Sequence, residues 1–339
     1  MLEQVEETFC NGVAMTGAPT AHRMPKTVLG GAANHTALTK ATHLVKTPQA
    51  PYTHGMRDMN ASSGLPFLKM HGLGNDFVVL DFRDGERPLP SALVTALADR
   101  HRGVGFDQLA IIARSDDADV AADLTFYNAD GSPSAACGNA TRCIADHLMQ
   151  DQGTRSIALR TERGVLACYT TRDGRVRVNM GQPALAWADI PLSRAVDTAC
   201  LPIEGSPIAT GMGNPHCAFF VEDVAAIDLA EFGPRIEHDP LFPERTNVQI
   251  VQVTGPNQLR MRVWERGTGI TLASGSSSCA VAVAAVRRGL TERRVSIDLD
   301  GGRIEVNWSE DGVWMMGPTA HVFNGVLTPA FMAGIVDDH

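Results

Sequence analysis

Two positions place a proton-carrying side chain directly before a glycine and a helical run. Cys137-Gly138 precedes a predicted helix from Asn139 to Met149, and Ser274-Gly275 precedes one from Ser277 to Arg287. A side chain at a helix start faces unpaired backbone N–H groups and the positive end of the dipole, which hold anions and lower a thiol's pKa. The same N–H groups can hold a substrate carboxylate. Were the two helix starts to face each other, Cys137 and Ser274 would stand on opposite faces of one α-carbon. Stereoinversion without a cofactor requires that arrangement, since one group removes the proton and the other delivers one from the far side.

The elements that must position this pair are themselves repeated. Gly74-Asn75 matches Gly213-Asn214, Gln108 matches Asn247 and Asn128 matches Glu265. Cys137-Gly138 matches Ser274-Gly275, and Asp173-Gly174 matches Asp311-Gly312, all at offsets of 137 to 139 residues. Five landmarks in one order at one offset imply a duplicated unit. Phe77 to Leu80, Leu109 to Ile112 and Leu124 to Tyr127 are predicted strands, from their apolar and β-branched content between turn-rich flanks. Ser91 to Arg102 is a predicted helix, with Pro90 before it and Gly103 as its stop. The two Asp-Gly pairs mark hairpin turns.

The expected fold is α/β of the α+β kind, with two pseudo-symmetric half-domains spanning residues 66–200 and 201–339. Each is expected to be a mostly antiparallel sheet wrapped around a central helix, with the site in the cleft between them. Residues 1–65 lack hydrophobic periodicity and read as a disordered extension, or as a start set upstream of Met56 or Met59.

Composition removes several classes of function. A chain of 339 residues, 44% of them hydrophobic, can fill two cores. The formal net charge of -9 argues against nucleic acid or an anionic membrane as partner. Seven irregularly spaced cysteines suit a reducing, cytoplasmic setting rather than a disulfide scaffold. Neither an 18-residue apolar run nor a signal-peptide pattern is present. Lys26, Lys40, Lys46 and Lys69 are the only lysines, so no lysine after position 69 can hold pyridoxal phosphate as a Schiff base. The cysteine and histidine spacings match no zinc pattern, and no phosphate or dinucleotide loop occurs. No cofactor and no metal are expected.

Six ordered segments carry a family resemblance: Phe67 to Phe77, Asn128 to Ser132, Cys137 to Cys143, Gly213 to Cys217, Phe242 to Asn247 and Trp264 to Gly269. Together they resemble the diaminopimelate epimerases over about residues 67–326. That family interconverts LL- and meso-2,6-diaminopimelate with two cysteines, without metal or pyridoxal phosphate, and is expected as a homodimer. The resemblance implies that Cys137 is one acid/base. It also implies that Asn75, Gln108, Asn128, Asn214, Asn247, Glu265 and Arg266 bind the substrate's polar groups. Gly138, Asn139, Gly275 and Ser276 would cradle the reacting carboxylate, with His216 beside the reacting centre. Asn, Glu and Arg suit the ammonium and carboxylate groups of such a zwitterion on chemical grounds as well.

The chain departs from the family pattern at two positions. Ala273-Ser274-Gly275 stands where the family reads Ala-Cys-Gly, and Ile270 stands where a Glu is common. A serine hydroxyl is scarcely ionised unless an adjacent base activates it. Three readings follow: epimerisation completed by Ser274 or a water it holds, a one-base enzyme that exchanges or eliminates, and a binding paralogue without catalysis. A proline or hydroxyproline racemase or dehydratase of similar two-half design is the nearest competing enzyme. Its cyclic substrate would not need Asn75, Asn128 and Arg266. Cys279, five residues beyond Ser274, is expected in the core.

Overall fold

The repeat in the sequence is, in space, a repeat of strand pairings. The computed structural model describes residues 64–85, 89–134 and 137–336, so the reading of residues 1–65 lies outside the described residues apart from Gly64 and Leu65. The first half reads β1 (Leu65–Gly72), β2 (Asn75–Asp81), α1 (Ser91–Ala98), β3 (Gln108–Ala113), β4 (Ala122–Asn128) and β5 (Pro133–Ser134). It continues with α2 (Gly138–Gln152), β6 (Ser156–Thr161), β7 (Gly164–Thr170) and β8 (Val176–Asn179). The second reads β9 (Ile208–Gly211), β10 (Pro215–Phe220), α3 (Leu229–Glu237), β11 (Asn247–Gly255), β12 (Gln258–Glu265) and β13 (Gly269–Thr271). Then come α4 (Gly275–Arg287), β14 (Arg294–Leu299), β15 (Gly302–Ser309) and β16 (Gly312–Gly317).

Pairing runs β1-β2-β3-β4-β6-β7-β8 in the first half and β9-β10-β11-β12-β14-β15-β16 in the second. In both, the successive junctions are antiparallel, parallel, antiparallel, parallel, antiparallel and antiparallel. Each half is therefore a mixed sheet with two parallel junctions, and the parallel ones fall where a longer segment of chain crosses over. Antiparallel pairing of β8 with β16, from Asn179 against Trp314 to Val176 against Gly317, joins the halves into one sheet.

The chain then returns to its beginning. β17 (Ala320–Leu327) lies antiparallel on β1, and α5 (Pro329–Val336) follows it. Phe331, Met332 and Ile335 pack with Leu327 on the core of α1, Leu93, Val94 and Leu97.

Each sheet wraps a central helix, and both helices are enclosed over most of their length, α4 chiefly by small and apolar residues and α2 with buried polar groups among them. α4 buries Gly275 and every residue from Ser277 to Ala285, and α2 is buried continuously from Gly138 to Ala145. Both helices contribute to one core that spans the halves, where Ile144 and Leu148 meet Val281 and Val283 in a common cluster with Met315. Burial of each such side chain contributes about 1.5–3 kcal/mol. α2 ends where Gly153 takes the left-handed conformation (φ 65°) and donates its N–H to Gln150 and Met149.

The predicted strands fall within β2, β3 and β4, and the Asp-Gly pairs join β7 to β8 and β15 to β16. The predicted helix at Ser91 is shorter than expected, ending at Ala98. Asp99 stops it: its carboxylate accepts from the N–H groups of His101 and Arg102, an Asx turn that competes with the next helical turn.

Candidate active site

The two helix starts meet. A methyl group added to Gly275 would stand 3.4 Å from the Cα of Gly138 and 2.8 Å from the sulfur of Met315, so this approach depends on glycine. The residues before them, Cys137 and Ser274, are the N-caps of α2 and α4, both with extended backbone. The two caps line one polar cavity of about 170 Å³. They are almost closed off from the surface, Cys137 at 8% exposure and Ser274 at 3%.

Cys137 caps its own helix weakly, its sulfur accepting from the Ala140 N–H at 3.4 Å, and it lies 4.0 Å from Asn75 Oδ1. Asn139 bridges the halves: its Nδ2 donates to Asn75 Oδ1 at 3.2 Å and to the carbonyl of Ala273, the residue before Ser274, at 3.3 Å. Burial pushes the Cys137 thiol well above its ordinary range. The Ala140 N–H opposes the rise, the Glu265 and Cys143 side chains add to it, and Arg142 opposes it. The expected lowering of this pKa at a helix start is thus overturned, because taking a thiolate out of water costs more than one cap hydrogen bond returns. Cys137 rests as a thiol.

The serine side is built differently. Ser274 Oγ donates to Glu265 Oε2 at 2.8 Å, and Thr271 Oγ1 donates to Glu265 Oε1 at 2.6 Å. Glu265 ends β12 and Thr271 ends β13, and their antiparallel pairing folds both residues toward α4. Burial raises the pKa of Glu265, while the two hydroxyl donors pull it back. Ser274 therefore has beside it the activating base that a serine hydroxyl needs.

Every residue expected in the substrate-binding set lines the cavity except His216. Gln108 Nε2 donates to Asn128 Oδ1 at 3.2 Å and to Ser134 Oγ at 3.1 Å. Asn247 holds the loop after β12 in place, accepting from the Arg266 N–H at 3.0 Å and donating to the Pro215 carbonyl at 2.9 Å. The exposed Arg266 side chain is held by the Glu244 carbonyl at 2.9 Å.

His216 is fully buried one step behind the cavity. Its Nε2 contacts Asn214 Oδ1 at 2.8 Å and its Nδ1 contacts Gln249 Nε2 at 3.0 Å. A Gln amide nitrogen can only donate, so Nε2 carries the proton and gives it to Asn214. Burial lowers the His216 pKa to about 3, with Arg163 and Arg266 adding to the effect, and the ring is neutral. It orients the amide of Asn214, which lines the cavity.

Five lining residues escaped the sequence reading: Asp107, Pro133, Ser134, Thr268 and Thr271. Asp107 accepts from Asn75 Nδ2 at 2.9 Å and from Arg100 at 2.8 Å, and so fixes which way the Asn75 amide points. Its adjacency to Gln108 was the available signal. For Thr271 it was the turn at Arg266 to Thr268, which pairs the residues on either side of it. Cys279 lies in the core at 0% exposure, and Ile270 is surface-exposed at 47%.

The diaminopimelate epimerase family model matches residues 67–186 and 208–322, the two halves in turn. The chain belongs to the diaminopimelate epimerase family. It is 50% identical over 275 residues to the diaminopimelate epimerase of Rhodospirillum centenum, covering 79% of this chain and 94% of that one. It is 49% identical to that of Acidiphilium cryptum, covering 79% and 98%. Among solved structures, a predicted epimerase from Pseudomonas aeruginosa aligns with a TM-score of 0.58 at 17% identity, over 78% of this chain and 99% of that one. A hydroxyproline epimerase from Agrobacterium vitis, with bound trans-4-hydroxy-L-proline, aligns at 0.56 and 13% identity over 80% and 94%. These two likenesses show a shared fold.

Proposed function

We propose that the protein converts LL-2,6-diaminopimelate to meso-2,6-diaminopimelate by proton transfer at one α-carbon, with Cys137 and Ser274 as the two carriers. The observation that carries this reading is the pair of N-caps, Cys137 and Ser274, brought to one cavity by helices whose first glycines nearly touch. The substrate's reacting carboxylate is held by the N–H groups of Gly138, Asn139, Gly275 and Ser276, where the helix dipoles stabilise the negative charge that grows as the α-proton leaves. Asn75, Gln108, Asn128, Asn214, Asn247 and Arg266 bind the remaining polar groups of the open-chain zwitterion.

The proton balance follows from the two environments. In one direction Ser274 takes the α-proton while its own proton passes to Glu265, and the Cys137 thiol delivers a proton to the opposite face. In the other direction the Cys137 thiolate removes the proton, and protonated Glu265 supplies one through Ser274. A carboxylate raised toward neutrality suits that exchange. The reaction makes a lysine and cell-wall precursor. We place it in the cytoplasm, in a homodimer, with no nucleic-acid or membrane partner.

Incubating the purified protein with LL-diaminopimelate in heavy water tests the reading. Meso product carrying deuterium at the inverted carbon is expected. Deuterium uptake or elimination without meso product would make it a one-base enzyme, and binding without uptake would make it a paralogue that does not catalyse.

A further inference from the structure

Behind the meeting point of the two helices lies a guanidinium with no carboxylate. Arg142, in the second turn of α2, has 0% exposure and forms no ion pair with any described acid, although its side chain is among the largest that the fold encloses. Its Nη1 donates to Asn139 Oδ1 at 3.0 Å and lies 3.6 Å from the sulfur of Met315, and its Nε donates to the Pro318 carbonyl at 3.1 Å. Its Nη2 has no partner. The fold makes room for it with glycines: a methyl on Gly72 would stand 2.8 Å from Nη2, and one on Gly317 would stand 3.4 Å from Cζ.

An isolated buried charge is costly unless something in the functional state repays it. The site asks for such a charge, because its working states place a thiolate, a substrate carboxylate and the electrons left by the α-proton within one closed pocket. Arg142 also fixes the wiring. By taking Asn139 Oδ1 it forces Asn139 Nδ2 toward Asn75 Oδ1, beside the Cys137 sulfur, and toward the carbonyl preceding Ser274. The direction is that of a long helical side chain, which runs back toward its own N-terminus.

We infer that Arg142 is the positioning residue of this site: it locks the Asn139 bridge between the two carriers and supplies the fixed positive charge that balances the anions formed above it. The inference rests on the proposed roles of Cys137 and Ser274 and deepens that reading. The titratable groups facing Arg142 and Cys137 are Cys143 on their own helix, Cys279 on α4 and Glu265 at the end of β12.

The test compares Arg142→Met, which keeps the stem and removes the charge, with Arg142→Lys, which keeps the charge and loses the forked donor set. The rate of Cys137 alkylation by iodoacetamide is followed against pH, with the modified peptide identified by mass. Folding is checked by thermal melting, and steady-state epimerisation is measured alongside. For Arg142→Met the alkylation rate between pH 7 and pH 8.5, where the thiolate fraction limits it, is expected to be roughly tenfold slower than wild type, with kcat lowered far more than KM. For Arg142→Lys the alkylation rate is expected to stay within about twofold of wild type while kcat falls about tenfold from the lost bridge.

A folded Arg142→Met alkylated as fast as wild type overturns the inference, as does an Arg142→Lys alkylated tenfold more slowly. If Arg142→Met does not fold, the lysine variant decides alone. Alkylation needs no turnover, so an inactive wild type would refute the proposed reaction and leave this measurement standing.

Discussion

Replacing Ser274 by alanine removes the hydroxyl that carries protons between the substrate and Glu265. Ser274 is 3% exposed and its hydroxyl donates to the carboxylate at 2.8 Å. Loss of a positioned proton carrier costs about 10²–10⁴-fold in rate, which is about 2.7–5.4 kcal/mol of barrier at 1.36 kcal/mol per decade. Glu265 keeps its bond from Thr271 at 2.6 Å and loses a hydrogen bond to a charged group worth about 1.5–3 kcal/mol. Its pKa therefore rises further above the ordinary carboxylate range. The assay is α-hydrogen exchange in heavy water, started separately from the LL and the meso isomer. The isomer whose α-hydrogen faces Cys137 should still exchange, and the one facing position 274 should not, with epimerisation lost. If Ser274→Ala exchanges both isomers and epimerises within about tenfold of wild type, the Ser274–Glu265 relay is wrong.

In the same assay Cys137→Ala should abolish epimerisation and exchange from the isomer whose α-hydrogen faces position 137, leaving exchange at the face served by Ser274 and Glu265, whereas Ser274→Cys should match or exceed wild-type turnover because a thiol ionises far more readily than a hydroxyl. Glu237, 3% exposed, accepts from the Trp264 indole at 2.6 Å and from the Gly267 N–H at 2.9 Å, clamping the loop that carries Glu265 and Arg266. Glu237→Ala should lower stability by about 2–4 kcal/mol in urea titrations, leaving two donors unpaired, and should lower kcat as the loop shifts. Burial raises the five free thiols among the described residues, Cys143 to about 11, Cys168 and Cys279 to about 12, and Cys137 and Cys217 well above 9.0. The fold favours the protonated form, so this stability is fully present below pH 9 and is lost as pH rises beyond it. The urea midpoint should hold up to about pH 9 and fall above it; a flat profile to pH 10.5 would refute it.

The matched landmarks foretold the fold because they sit where the backbone changes direction. Gly74 and Gly213, both at φ above 80°, turn the chain into β2 and β10, and Gly138 and Gly275 open the central helices. An offset between such points survives even where the strands between them share little sequence. The C-terminal return was not legible: nothing in Ala320 to Leu327 marks β1, rather than β16, as its partner. The extent of α1 was misread because the side chain of Asp99 offers its N–H groups a better acceptor than the next helical turn. Of the site, the residues inside repeated motifs were legible one by one. Asp107 and Thr271 were not, because their roles come from lying beside Asn75 and Glu265 in space.

The replacement of a thiol by a hydroxyl changes what the rest of the site must do. With two thiols either side can ionise, but a hydroxyl can remove a proton only by passing its own onward. The structure supplies that route on the serine side alone: Ser274 contacts Glu265, whereas Cys137 contacts only amide groups, from Ala140 and Asn75. Burial acts on both sides in the same sense, raising Glu265 and Cys137 alike, yet from very different starting values. The pKa of the carboxylate is brought up toward neutral pH, and that of the thiol is carried further above it. At rest the site thus holds an acceptor behind Ser274 and a donor at Cys137, a polarity that favours proton removal at the serine face. The reverse reaction must first move a proton from Cys137 to Glu265, and the role inferred for Arg142, in the second turn of the same helix, is to make this state accessible.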